Sequence, residues 1–202
     1  NKTSGIVPVH AFGNACNVEK IDRIAKKYNL KTVYDAAQAF GVNYKDQSVL
    51  NYGDISVLSF HATKLFHTIE GGAIITNSSN IANKIRSMIN FGFSSPFTST
   101  YNGINAKMSE FHAAMGLAVL DDIKYILDQR KKIWLAYFYN IKAPVSFQKL
   151  NINSNYNYHY FPIVFDSKKE LLQVEKLLLN KSIKARRYFY PSLDTLDYFE
   201  VS

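Results

Sequence analysis

Between Gly5 and Asp35 the chain reads as strand, helix, strand, and that order leaves few folds open. Gly5 to His10 is a short, largely apolar run containing Pro8, and Gly13-Asn14 supplies the punctuation expected between a strand and a helix. Asn17 is a fitting N-cap, after which Val18, Ile21, Ile24, Ala25 and Tyr28 recur at helical spacing until Asn29 closes the segment. Thr32-Val33-Tyr34-Asp35 then returns to strand-forming residues, followed by Asp54 to Phe60 and Gly72 to Thr76. A strand-helix-strand crossover is right-handed and builds a mostly parallel, buried sheet, which takes its ligands at the C-terminal ends of the strands.

Beyond this unit, Ser79 is placed to cap a helix carrying Ile81, Ile85, Met88 and Ile89, which Phe91-Gly92 ends. Residues 94–105 have loop chemistry, with Pro96, Gly103 and several Ser, Thr and Asn residues. Ser109 starts a helical stretch to about Lys142, with a break expected near Asp121-Asp122. Pro144 marks a composition shift, which divides the chain into an α/β domain over 1–143 and a small α+β domain over 144–202. In the latter, Tyr156-Tyr158-Tyr160 alternates as a half-buried strand does, Lys168 to Asn180 reads as a helix, and Ile183 to Tyr190 reads as a strand.

Composition excludes more than it selects. A formal net charge of +8 suits a nucleic-acid binder, a membrane-surface protein or an enzyme for anionic substrates alike. The basic groups Lys26-Lys27, Arg130-Lys131-Lys132 and Lys184 to Arg187 lie far apart, however, unlike the dense blocks that signal nucleic acid. The lone Cys16 allows no internal disulfide and fits a cytoplasmic protein, and no stretch is apolar enough to span a bilayer. His10, His67 and His112 have no metal-ligand spacing, so no metal site is expected.

Two residues stand where a parallel sheet presents its chemistry. Asp35 ends a strand, where a carboxylate needs a cation or a hydrogen-bond donor, or else caps the following turn. Lys64 follows the strand ending at Phe60 by four residues, where a lysine can act as a nucleophilic amine that forms imines. Taken together and in order, Asp35-Ala36-Ala37-Gln38, Ser59-Phe60-His61-Ala62-Thr63-Lys64, Glu70-Gly71-Gly72-Ala73 and Gly103-Ile104-Asn105-Ala106-Lys107-Met108-Ser109-Glu110 resemble the motifs of the DegT/DnrJ/EryC1/StrS aminotransferases. The resemblance is strong over about residues 5–120 and weaker beyond.

What the resemblance implies is a pyridoxal 5'-phosphate-dependent fold-type-I large domain, mostly parallel in its sheet and lacking its N-terminal part, followed by part of a small α+β domain. It implies that Lys64 carries the cofactor as a Schiff base and then serves as the proton-moving base, while Asp35 keeps the pyridine nitrogen protonated. Gln38 matches a position near the phenolic oxygen, Ser59 a phosphate ligand, and Asn105 an amide reaching the phosphate from a neighbouring subunit, hence a homodimer with a shared active site. His61, Arg187, Tyr188 and Tyr190 are substrate-binding candidates, the last three as an arginine and aromatic cluster suited to a diphosphate and a flat ring. Glu70-Gly71-Gly72 reads as backbone that turns tightly into a strand. The implied reaction is transfer of an amino group, from glutamate, to a nucleotide-linked keto-6-deoxy sugar, at a 4-keto rather than a 3-keto position. The alternatives are a pyridoxamine-dependent sugar dehydratase, in which histidine replaces the lysine, and a non-catalytic fragment of the same fold.

Overall fold

In the computed structural model, which describes residues 2–197, strand β1 (Gly5–Ile6) leads through a 3-10 turn at Ala11–Gly13 into helix α1 (Val18–Tyr28). Asn17 caps α1 by accepting from the Lys20 N–H at 3.0 Å, and Asn29 ends it in the left-handed conformation at φ 52°, which asparagine adopts readily. Strand β2 (Lys31–Asp35), a small hairpin of β3 (Asn43–Tyr44) and β4 (Gln47–Ser48), then β5 (Ile55–Ser59) and β6 (Gly72–Ile75) follow. Helix α2 (Ser79–Met88), a hairpin of β7 (Phe93–Ser95) and β8 (Thr98–Ser99), and helices α3 (Glu110–Asp121) and α4 (Ile123–Asn140) come next.

The main sheet has the order β1-β2-β5-β6. β1 pairs with β2 and β2 with β5 in parallel, while β6 returns antiparallel along β5. Asp54 ties the two central strands just before β5 begins: its carboxylate accepts from the Thr32 N–H at 2.8 Å and from the Lys31 ammonium at 3.1 Å. The backbone hydrogen bond from Thr32, followed by the lysine, holds the Asp54 carboxyl below its ordinary value.

Side chains alternate across the strands, so Thr32 and Tyr34 of β2 and Ser56 and Leu58 of β5 lie on the buried face. Tyr34 and Leu58 join Val18, Ala36, Val42 and Val49 in the core, with Ile21 of α1 packed against it. The opposite face is open, since Val57 and Ile74 remain 38% and 45% exposed. The buried sheet expected from the crossover is therefore buried on one face only among the described residues.

Other departures are local. Ser78, one residue earlier than the sequence suggests, caps α2 through the Ile81 N–H, and the polar stretch after α2 contains the β7–β8 hairpin. Residues 156–160 are not a strand. Their alternating tyrosines instead serve Trp134 of α4, whose ring meets Tyr156 and Tyr158 edge-on at 5.9 and 5.8 Å and whose Nε1–H donates to the Tyr160 carbonyl at 3.0 Å. The break between α3 and α4 falls at Asp122.

The chain separates into two compact units, one running to Lys142 and including 149–162, the other comprising 143–148 and the residues from 163 on. The second contains β9 (Ser146–Phe147) paired antiparallel with β10 (Ile163–Val164), and helix α5 (Lys168–Asn180), capped by Ser167. Residues 183–190 form no strand there, where the arginines engage neighbouring tyrosines rather than a ladder.

The sheet predicts a contrast between two glycines. A Cβ on Gly72 would lie 2.7 Å from the Leu58 carbonyl oxygen, which is backbone of the adjacent strand and has no rotamer to change. Gly72→Ala is therefore expected to destabilise by about 1–3 kcal/mol. Gly41→Ala meets nothing within 4 Å and suffers only its φ of +72°, a penalty of about 1 kcal/mol. Urea unfolding followed by Trp134 fluorescence checks this, and a Gly72→Ala midpoint equal to wild type would contradict the tight β5–β6 approach.

Candidate active site

Parallel pairing in register Asp35↔Val57 brings the ends of β2 and β5 side by side, so the turn after Asp35 and the turn after Ser59 rise from one sheet edge. Asp35 lies on the open face with Val33, and Ser59 on the same face with Val57. The Asp35 backbone is held on both sides: its N–H donates to the Pro8 carbonyl at 2.9 Å and its carbonyl accepts from the His10 N–H at 3.0 Å. Its carboxylate accepts from the Ala37 N–H at 3.0 Å, the local turn expected of an Asp, while the residue stays exposed. Three residues on, the Gln38 side-chain carbonyl accepts from the Phe12 N–H, and its amide hydrogens have no partner among the described residues.

Lys64 sits in a closed loop between β5 and β6. The Phe60 N–H donates to the Gly71 carbonyl at 2.8 Å, the Thr68 N–H to the Phe60 carbonyl at 2.9 Å, and the Lys64 N–H to the His61 carbonyl at 2.9 Å. Phe66 inside this loop stacks on Phe40 at 4.4 Å and meets Phe60 edge-on at 4.8 Å, which pins the Lys64 loop against the segment carrying Gln38. The lysine is half-buried, and its ammonium has no hydrogen bond or ion pair among the described residues. Gly116 of α3 gives room beneath, where a Cβ would fall 2.8 Å from a Thr68 methyl.

A third segment, 149–162, closes over both turns, and sequence reasoning missed its role. The Asn157 amide donates to the Gln38 and Phe40 carbonyls at 2.9 and 3.0 Å, and His159 Nε2 lies 3.0 Å from the Thr63 carbonyl. Gly13 is needed beside them, since a Cβ there would stand 2.5 Å from Asn157 Oδ1 and 2.8 Å from the Gln38 carbonyl. These partners are more than ninety residues apart in sequence, with separations of 119 and 96, so no local pattern marks them.

Two histidines of the site are buried neutral. Burial drives His10 down to about 4 against a smaller opposing pull from Asp35, and it does the same to His159, where the Thr63 carbonyl opposes and Arg130 and Lys64 assist. His10 accepts from the Cys16 N–H at Nδ1 and stacks on Tyr34 at 4.8 Å, so its Nε2 carries the hydrogen. That Nε2 has no partner among the described residues.

The remaining candidates are dispersed. His61 is exposed, bonded to the Thr63 hydroxyl at 2.8 Å with Glu70 3.7 Å from its other nitrogen. Asn105 lies beyond the β7–β8 hairpin, bridged to Asn90 and accepting from Lys107 at 2.6 Å. In the second unit the Arg187 guanidinium lies 3.5 Å over the Tyr190 ring and Arg186 donates to the Tyr188 hydroxyl at 3.2 Å. Among the described residues there is no cluster of side chains fit for a metal ion, and no helix is long and apolar enough to cross a membrane.

The sequence matches the model of the DegT/DnrJ/EryC1/StrS aminotransferase family over residues 1–202. It is 45% identical over 199 residues to a dTDP-4-amino-4,6-dideoxy-D-glucose transaminase of Shigella dysenteriae, covering 94% of this chain and 53% of that protein. The Escherichia coli protein of the same name is 39% identical over 205 residues, covering 98% of this chain and 55% of that one. Among solved structures, DesI in the presence of its TDP-sugar product superposes with a TM-score of 0.87 at 32% identity, covering 98% of this chain and 52% of that one. The chain thus spans about half the length of the curated relatives it matches.

The buried histidines predict a pH dependence of stability. Their folded values, about 4, lie below the ordinary 6.5, so between these limits the unfolded chain binds protons that the folded chain does not. The stabilisation is complete above 6.5 and lost as pH falls towards 4, on the order of 3 kcal/mol for each histidine. Urea midpoints should decline between pH 6.5 and 5, above the carboxylate range, and decline less in His159→Gln. A flat profile over that window would contradict neutral burial.

Proposed function

The chain belongs to the DegT/DnrJ/EryC1/StrS aminotransferase family, and on that premise we propose that it acts in transferring an amino group from glutamate to the 4-keto group of a nucleotide-linked 6-deoxy sugar. Pyridoxal 5'-phosphate is the cofactor of this proposal. The observation that carries it is the placement of Asp35 and Lys64 at the ends of adjacent parallel strands, above an open sheet face.

The donor set there fits the cofactor. Asp35 offers a carboxylate whose backbone is fixed by Pro8 and His10 and whose side chain is exposed. Among the described residues, Lys64 offers a primary amine with no competing partner, Ser59 a hydroxyl, and Gln38 two amide hydrogens without a partner. When bound, the cofactor supplies a carbonyl carbon for amines and a ring that accepts electrons. Asp35 then holds a proton on the ring nitrogen, and Ser59 and Gln38 orient the phosphate and the phenolic oxygen. Lys64, on a loop anchored at both ends but with a flexible side chain, takes and returns the proton at the donor carbon. Ala37, partly exposed beside Asp35, leaves space for a flat ring to approach the strand end, whereas Ala36 is turned into the core.

The relatives named for a dTDP-4-amino sugar favour amination at the 4-position over the 3-position, and dTDP as the nucleotide. His61 is the substrate contact proposed beside Lys64, and Arg187 with Tyr188 and Tyr190 are those proposed for the second unit, offering a cation and aromatic faces to a diphosphate and a ring. A homodimer is supported by the apolar side chains flanking Asn105 in sequence, where Phe97 and Phe111 are 97% and 89% exposed. In that dimer Asn105 reaches the partner's phosphate site. The lone, half-buried Cys16 is in keeping with a cytoplasmic setting. Lys64 itself disfavours the dehydratase, which uses histidine at that position.

The test is incubation of the full chain with pyridoxal phosphate, glutamate and a dTDP-linked 4-keto-6-deoxy sugar, with mass spectrometry of the products. The expected result is an amino sugar with 2-oxoglutarate in equal amount. Lys64→Ala and Asp35→Asn should each lower the rate by on the order of 10²–10⁴. A deoxygenated sugar without the amine, or wild-type turnover in Lys64→Ala, would overturn the proposal.

A further inference from the structure

Residues 155–162 have no helix or strand, yet Tyr156, Asn157 and His159 are buried within them. A buried loop has to find partners for its polar groups, and here the partners are the two turns of the candidate site. We infer that Asn157 and His159 are positioning residues, a two-point clamp that fixes the Asp35–Gln38 turn relative to the Lys64 turn. The inference rests on the cofactor site proposed above.

The clamp is a single braced unit. Asn157 Oδ1 accepts from the His159 N–H at 3.2 Å, and the His159 carbonyl accepts from Arg130 of α4 at 3.3 Å. Tyr158 between them takes a left-handed φ of 54°, and its ring rests edge-on against Trp134 at 5.8 Å. From this brace the Asn157 amide uses both hydrogens on the Gln38 turn, one to the Gln38 carbonyl and one to that of Phe40. His159 spans the other way. Because the Thr63 carbonyl can only accept, His159 Nε2 is the protonated nitrogen, and Nδ1 is a bare acceptor, buried with no partner among the described residues. Thr63 immediately precedes Lys64, so one hydrogen bond separates the imidazole from the backbone of the amine-bearing residue.

The function of such a clamp follows from where the sheet stops holding. The last backbone bond linking the two strands is the Ala36 N–H to the Val57 carbonyl, 2.9 Å, below the level of both turns. Asp35 still lies within the paired strands, but beyond that bond the positions of the Gln38 turn and of the Lys64 turn relative to it are left to side chains. The Phe40–Phe66 stack supplies contact but little direction, whereas hydrogen bonds to main-chain carbonyls fix orientation. A displacement of about 1 Å between reacting groups lowers rates on the order of 10²-fold, so the two anchors bear on catalysis without touching substrate.

The experiment is amide hydrogen exchange on the full chain, reading residues 60–68, residues 36–42 and helix α1 as a remote reference. His159→Leu is expected to speed exchange in 60–68 by at least about tenfold and Asn157→Ala in 36–42, each with α1 unchanged. His159→Gln, whose amide nitrogen occupies the ε position, should restore the wild-type rate; His159→Asn, too short to reach Thr63, should behave as Leu and replaces it if the leucine variant does not fold. Wild-type exchange in both turns, or equal acceleration in α1, overturns the clamp. Pyridoxal phosphate titrations of the same proteins separate the two claims. An imine absorbance in wild type and His159→Gln that is about tenfold harder to saturate in His159→Leu supports positioning of the amine. Local acceleration with no absorbance in any protein supports the clamp and sinks the cofactor reading, whereas an unchanged titration in His159→Leu overturns the positioning role.

Discussion

The parallel pairing of β2 with β5 is the constraint from which the rest of the structure follows. Its register sets Asp35 opposite Val57, and β5 runs two residues further, to Ser59, before the chain turns towards Lys64. A slip of one residue would carry Asp35 to the face that holds Tyr34 and Leu58, where an unpaired carboxylate has no place. Asp54 guards against that slip from the other end of the strands, because its carboxylate is bonded to the Thr32 N–H and the Lys31 ammonium. Apolar alternation and the two hydrogen bonds of the Asp54 carboxylate thus agree on a single register.

What the sheet begins, side chains finish. The turns above β2 and β5 are joined by the Phe40, Phe60 and Phe66 rings and by Asn157 and His159, buried polar residues that donate to main-chain carbonyls. Gly13 makes room for this contact and Arg130 steadies it from α4. The Lys64 side chain stays without a partner among the described residues while the loop beneath it is tightly bonded, which is the combination a mobile amine on a rigid support requires.

The sequence was informative wherever the determinant is local. Asn17 as a cap, the spacing of Val18, Ile21 and Ala25, and the strand residues around Tyr34 and Leu58 all mark their elements, since capping and periodicity act within a few residues. That Asp35 ends one strand and Lys64 follows another was legible from local strand signals, while their proposed chemistry came from the ordered motifs rather than from position. The antiparallel return of β6 was not, because nothing in Gly72 to Ile75 states its direction. Tyr156, Tyr158 and Tyr160 have a strand's alternation but serve the Trp134 cluster, and the left-handed turn at Tyr158 forbids a ladder. Asn157 and His159 escaped notice because their partners lie 119 and 96 residues away. The arginines of residues 183–190 look like an amphipathic strand, yet they stack on tyrosines close by in sequence.

The proposed chemistry requires that the amine of Lys64 be the one that engages the cofactor. Borohydride reduction of the full chain after equilibration with pyridoxal phosphate, followed by digestion and peptide mass mapping, reads this directly. A pyridoxyl group is expected on the peptide containing Lys64 and on no other at low cofactor excess. Labelling spread over exposed lysines, with the Lys64 peptide unmodified, would contradict it.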